Sequence, residues 1–338
     1  MPDKQPFISI IIPAYNEECY IAACLDSVLD SDYDQERMEV LIVDGASTDK
    51  TAQIVREYMQ NHTSIRLLSN IKRIAPVAMN IGINESSGEY IIRLDAHSAF
   101  SANYFSKLVI YIEKLRADNV GGIAITDVKN KTKISNAIKR VLAHSFGVGN
   151  SDFRTGVDSI KEVDTVPFGC FRRDVFERFG MYDERLIRNQ DIELNKRIKT
   201  AGGKIYLIPD VYFTYFSRES YVELFKNSYS NGLWNVLTVY YTNSIRSLNL
   251  RHFAPLLYLL SIITPIIASV VWESLKLVSF VSFAVHTGLI AYFSFKESDT
   301  DASPLHLFFA FITLHYSYGL GSLAGVFKVL KIKLLNGE

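Results

Sequence analysis

Cysteine is scarce in this 338-residue chain: only Cys19, Cys24 and Cys170 occur, and no zinc-site spacing links them. Cys19 and Cys24 lie five apart in an expected helix. All three read as reduced, structural thiols, which suits a cytosolic compartment. A surplus of one charge sign is also lacking, since 36 Lys+Arg face 36 Asp+Glu. Nucleic-acid binders normally carry a basic excess or patch, so nucleic acid is not an expected partner. No Gly-x-Gly-x-x-Gly follows the first expected strand and no Walker-type loop is present. That argues against a dehydrogenase or a P-loop ATPase. No internal repeat or low-complexity segment appears. The opening MPDKQPFISIIIPAYNEE has only a few apolar residues before Pro13, too short a run for a secretory signal peptide.

Long hydrophobic runs are missing from the first 245 residues and abundant afterwards. Residues 253–272 are uncharged and almost wholly apolar, and residues 277–295 form a second such run. Each meets the roughly 18–20 residues that a membrane-spanning helix needs. A third uncharged run, 304–327, carries two histidines, two tyrosines and three glycines. It is expected to lie at the membrane interface or re-enter, because a third span would place Lys328, Lys331 and Lys333 outside, against the positive-inside tendency. Residues 1–245 are therefore expected to form a cytosolic domain. Residues 246–338 are expected to form its anchor, with two transmembrane helices and a third interfacial or re-entrant segment.

Within the first part, FISIIIPAY reads as a buried strand stopped by Pro13, and residues 17–29 have helical spacing. MEVLIVDGAS supplies a second strand, STDKTAQIVREYMQ a capped amphipathic helix, SIRLLSN a third strand, APVAMNIGINES a helix and EYIIRLD a fourth strand. Such alternation predicts an α/β fold with a mainly parallel sheet. Ligands of such sheets bind beyond the carboxyl ends of the strands. Pro13-Ala14-Tyr15, Asp44-Gly45 and Asp95-Ala96-His97 all fall there.

Aspartate is poor strand material and costly to bury unpaired. Asp95 and His97 at the end of an apolar strand can form a solvated turn, or both can face one ion. A carboxylate, waters and phosphate oxygens suit Mg²⁺ or Mn²⁺, and an imidazole tilts the choice toward Mn²⁺. Asp44 either faces a ligand, with the small Gly45 and Ala46 leaving room for a flat one, or holds its loop through backbone N–H groups. Asp49 reads as a helix-start carboxylate. Asp191, in the first turn of an expected helix in NQDIELNKRI, can equally be a cap.

Taken in order, ISIIIPAYNEE, VLIVDGASTDKT, LDAHS, FGCFRRDVFERFGMYDE and NQDIELNKRIKTAGGKI resemble the motifs of the family-two glycosyltransferases, which have the Rossmann-like GT-A fold. The resemblance covers about residues 7–215. A narrower resemblance is to membrane-anchored bacterial enzymes of exopolysaccharide assembly, similar to succinoglycan glucosyltransferases. They share the Asp-x-His pattern and a C-terminal stretch like HYSYGLGSL. The chain departs from the family pattern at Gly45, Gln190 and His97, where acids are usual. The Gln-x-x-Arg-Trp motif of processive synthases is absent, with NSYSNGLW at most an echo of it, so addition of one sugar per encounter is expected.

The resemblance implies an inverting transfer from a nucleoside-diphosphate sugar, UDP being the expected nucleotide. Asp95 and His97 would hold a divalent metal, Mn²⁺ or Mg²⁺, at the diphosphate. Pro13, Tyr15, Glu17 and Asp44 would receive the nucleobase. Arg73 is either a phosphate contact or a solvated charge. Asp191 would be the catalytic base. The expected acceptor is a polyprenyl-diphosphate-linked saccharide, at the bacterial inner (cytoplasmic) membrane. The alternatives are a polyprenyl-phosphate sugar synthase and a catalytically idle membrane scaffold.

Overall fold

The computed structural model describes residues 5–336. Its elements run β1 (Ile8–Ala14), α1 (Ile21–Leu29), β2 (Met38–Asp44), α2 (Thr51–Asn61), β3 (Ile65–Ser69), α3 (Ala75–Glu85), β4 (Tyr90–Arg93), β5 (Ser98–Phe100), α4 (Tyr104–Leu115) and β6 (Asn119–Asp127). There follow α5 (Lys133–Ala143), α6 (Ser145–Val148), α7 (Asp152–Thr155), β7 (Lys161–Glu162), β8 (Cys170–Arg172), α8 (Asp174–Phe179), α9 (Gln190–Thr200) and β9 (Ile205–Phe216). Helices α10 (Tyr221–Thr242), α11 (Ala254–Ala268), α12 (Leu275–Lys296) and α13 (Pro304–Asn336) complete the chain.

The strands form one sheet in the order β3-β2-β1-β4-β8-β6-β9-β5, with β7 against β9. It is parallel over β3-β2-β1-β4, as βαβ crossovers require. Where β8 joins β4, and where β5 and β7 join β9, pairing is antiparallel. The sheet is therefore mixed, parallel in the half whose strands alternate with helices. Strands β1 and β2 are apolar but for Ser9, Glu39 and the terminal Asp44, because both their faces are covered. Ile10, Ile12, Val40 and Ile42 belong to one core cluster, and Ile11, Leu41 and Val43 to the other, as the two-residue period of a strand demands. Cys24 and Cys170 are buried and free. Burial pushes both thiols well above their ordinary range, so they serve as core residues.

Two compact units can be distinguished. One is the chain up to Ile125 together with Asp152–Phe216; the other is Thr126–Ser151 with the chain from Ser217 onward. The second unit is helical. The apolar face of α5, with Ala137, Ile138 and Val141, is buried in a cluster with Leu307, Ala310, Phe311 and Leu314 of α13. Three stretches are long and apolar enough to cross a membrane by length and composition: Leu250–Ala268, Leu275–Lys296 and Pro304–Leu335. The last is one continuous helix through its three glycines and polar residues. Those residues serve as packing points. A side chain at Gly321 would collide with the Tyr229 carbonyl of α10, and one at Gly232 with the Tyr318 carbonyl. Asn235 Nδ2 donates to Tyr318 Oη at 2.6 Å, and His315 Nε2 lies 2.9 Å from the Phe146 carbonyl. The HYSYGLG stretch thus seats α13 on α10 and on the segment after α5.

Candidate active site

The parallel register brings Ala14, Asp44 and Ser69 level at the carboxyl edge of β1, β2 and β3. The loops that leave this edge are laced together. Asn16, in the left-handed region at φ 55°, donates its N–H to Ser47 Oγ (2.9 Å) and accepts from the Thr48 N–H (2.8 Å). The Glu17 N–H donates to Thr51 Oγ1 (2.7 Å). Asp49 accepts from the Thr51 and Glu18 N–H groups. Burial opposes its charge, but these bonds and the Thr51 hydroxyl hold it below the ordinary carboxylate range, so it is a helix-start carboxylate. Asp44 accepts from Ser47 Oγ (2.6 Å) and the Ser47 N–H, the loop-holding geometry that its position allowed. Tyr15 is exposed. It packs beside Gly45 and has the Arg73 guanidinium 5.8 Å from its ring centre. Pro13, Tyr15, Asp44 and Arg73 thus gather at one end of the edge, with Arg73 stacked on an aromatic ring.

The other end is built on β4. Asp95 follows the strand, and Ala96-His97 form the turn into β5. His97 is fixed from three sides. Its Nδ1 lies 3.3 Å from Glu17 Oε1, and the Tyr20 and Tyr215 rings meet it edge-on at 6.4 and 5.6 Å between centres. A carboxylate on Nδ1 directs metal ligation to Nε2. Glu17 thus lies against His97.

The sequence reading missed Arg93, the last residue of β4. Its side chain is only 11% exposed. Nη2 donates to Asp95 Oδ1 at 3.2 Å, and Nη1 lies 3.8 Å from Asp191 Oδ2. Burial alone would lower the guanidinium pKa, but Asp95 and Asp191 outweigh it and hold the group above its ordinary value. A buried cation without counter-charges costs several kcal/mol, so an arginine inside YIIRLD was the signal that acids must converge there. The Tyr182 phenol lies in the same network. Burial pushes it up, Arg93 works against that shift, and Asp191 and Asp95 add to it.

Asp191 opens α9 after the left-handed Asn189. Its Oδ1 accepts from the Ile192 N–H at 2.9 Å, and its side chain keeps 36% exposure. Glu193 differs. Arg197 holds both its oxygens, at 3.0 and 2.7 Å, and the side chain is 12% exposed. Gln190 is buried. Asp191 is the acid of this helix turn with access to solvent. Among the described residues no three His, Cys, Asp or Glu side chains converge to enclose a metal. Asp95 and His97 could give two donors to an ion whose other ligands are waters and phosphate oxygens.

Comparison with known proteins identifies relatives of this chain. The family described as Glycosyl transferase family 2 matches residues 9–180. A Methanococcus voltae protein named dolichyl N-acetyl-alpha-D-glucosaminyl phosphate 3-beta-D-2,3-diacetamido-2,3-dideoxy-beta-D-glucuronosyltransferase is 30% identical over 67% of this chain and 72% of its own length. The succinoglycan biosynthesis protein ExoA of Rhizobium meliloti is 30% identical over 66% of this chain and 67% of its own. Among solved structures, the mannosyltransferase PcManGT from Pyrobaculum calidifontis, in complex with GDP-Man and Mn²⁺, superposes with a TM-score of 0.64. It is 16% identical and covers 97% of this chain and 89% of that one. This last likeness is one of fold.

Proposed function

Since the chain belongs to glycosyl transferase family 2, we propose that it moves one sugar from a nucleoside-diphosphate sugar to a lipid-linked saccharide, inverting the anomeric carbon. The observation that carries this reading is the Arg93 bridge between Asp95 and Asp191. It brings both acids to one buried cation, and we read Asp95 as the donor-side acid and Asp191, the more exposed, as the base.

The chain's residues divide the work. Tyr15, with Pro13, Asp44 and Arg73, offers a flat, partly charged surface for the nucleobase and ribose. Asp95 and His97 would hold Mn²⁺ or Mg²⁺, which supplies positive charge to the departing diphosphate. Glu17 orients His97. Asp191 accepts the proton of the acceptor hydroxyl as that oxygen attacks from the face opposite the leaving group, and a single displacement inverts the configuration. Asp44, Asp95 and Asp191 are all retained, which speaks against an idle scaffold. A lipid-linked acceptor is supported by the apolar helices and by the relative whose name specifies a dolichyl-linked sugar phosphate. We place the enzyme at the bacterial cytoplasmic membrane, in exopolysaccharide or surface-glycan assembly, with residues 1–245 in the cytosol.

The test uses the purified full chain in detergent with UDP-, GDP- and dTDP-sugars and a membrane lipid extract, followed by mass analysis of the lipids. One nucleotide sugar should give a lipid product heavier by a single sugar residue. EDTA should abolish its formation, and Mn²⁺ or Mg²⁺ should restore it. No nucleoside diphosphate release and no lipid product with any donor would overturn the proposal. Product formed at full rate in EDTA would remove the metal from it.

A further inference from the structure

We propose that Arg154 is a phosphate-binding residue of this site, set on the Tyr215 ring that His97 also meets, where it takes oxygens of a phosphate or diphosphate group. Arg154 lies in α7. Its guanidinium carbon stands 5.4 Å from the Phe153 ring centre and 5.2 Å from that of Tyr215. The Tyr215 ring is the one that meets His97 edge-on at 5.6 Å. The register that pairs Ser98 with Tyr215 fixes this neighbourhood, so Arg154 and His97 share one aromatic wall.

What distinguishes Arg154 is the absence of a counter-charge. Its Nη1 is buried with no hydrogen-bond partner, and no carboxylate among the described residues pairs with it. Asp152, two residues away in α7, pairs with Lys161 at 2.9 Å. A partly buried guanidinium is expensive to leave without an acceptor. Stacking on rings recovers only part of that cost. Stacking also fixes the plane of the fork while leaving its donors for a planar or tetrahedral oxyanion, the use to which arginine is best suited. Phosphate is the oxyanion at hand. It can come from the leaving nucleoside diphosphate or from the lipid phosphate of the acceptor. This assignment rests on the glycosyltransferase reading above for its ligands, but its test is a binding test.

Purified full chain in detergent is titrated calorimetrically with Mn²⁺-pyrophosphate and with Mn²⁺-UDP and Mn²⁺-GDP, and separately with micelles carrying polyprenyl phosphate. Arg154→Gln, Arg154→Met and Arg154→Lys are compared with the wild type. Loss of a charged hydrogen bond weakens binding by about tenfold to a hundredfold, and this is the loss expected for Gln and Met, with partial retention by Lys. A loss confined to the pyrophosphate and nucleotide arm assigns Arg154 to the leaving group; a loss confined to the micelle arm assigns it to the acceptor lipid. Unchanged binding in both arms, or failure of all three variants to fold, makes Arg154 a packing residue and overturns the proposal, as does a wild type that binds none of the probes. A wild type that binds pyrophosphate but transfers no sugar defeats the functional reading alone, and the variants still decide on Arg154.

Discussion

At the scale of single residues, acids at strand ends were legible because an aspartate interrupting apolar sequence needs a reason. Asp95 and Asp191 meet at Arg93, a residue that the alternation of strand and turn hides. Arg93 reads as one more strand position; its two counter-ions are 2 and 98 residues away. Substitution separates the roles. Asp191→Asn keeps shape and hydrogen bonding but removes basicity, so transfer should fall by about 10²–10⁴ while calorimetry shows nucleoside-diphosphate binding nearly unchanged. Lost nucleotide binding would instead put Asp191 on the donor side. Glu193 is a poor substitute base, being held by Arg197. Arg93→Met leaves Asp95 and Asp191 without their shared cation. Breaking a buried pair costs about 3–5 kcal/mol, and the exposure of both acids places the expected loss at the lower end. Adding Asp191→Asn to Arg93→Met should restore part of the thermal midpoint, because it removes one of the two facing charges. Simple additivity of the two changes in thermal unfolding would show that the residues are not coupled.

At the scale of elements, the alternating helices and strands of the parallel half followed from periodicity, because covered faces and polar loops leave a plain pattern. The antiparallel half was harder to read. β5, β7 and β8 are two or three residues long, too short to show a period, and they are held by pairing with distant strands. The glycines of α13 do not interrupt the helix. Glycine weakens an isolated helix by about 1 kcal/mol, yet here it permits backbone approach between helices, the kind of packing that small residues allow in membrane helices. A Cβ at Gly321 would stand 1.9 Å from the Tyr229 carbonyl oxygen. Gly321→Val should therefore push α10 and α13 apart and cost at least the 1–3 kcal/mol typical of overpacking. The measurement is thermal unfolding of the detergent-solubilised protein. Gly288, whose added Cβ meets nothing within 4 Å, serves as control, and Gly288→Ala should leave the midpoint unchanged or raise it. Equal stability of the two variants would mean that the α10–α13 contact carries no energy.

At the scale of the whole molecule, the question is where the third apolar stretch lies. Helix α13 has the length and composition to cross a membrane, and that is all its sequence and helicity require. Two observations favour an interfacial or re-entrant placement. Half of its most apolar window is buried against protein, compared with 6% and 17% for the other two candidates. Its close partner α10 carries Glu223, Lys226, Asn227, Asn231 and Asn235 and is not among the stretches apolar enough to span. A helix that shares its length with such a partner is not surrounded by lipid. Charge points the same way, since Lys328, Lys331 and Lys333 follow the apolar run, and lysines flanking membrane segments stay on the cytoplasmic side. With two spans, α11 and α12, the C-terminus returns to the side of residues 1–245; with three it does not. A C-terminal reporter fusion distinguishes the two. A fusion active only in the cytoplasm is expected, together with labelling of a cysteine placed at Lys333 only after the membrane is made permeable. Labelling of that cysteine from outside intact cells would make α13 a third span and would require α10 to follow it into the lipid.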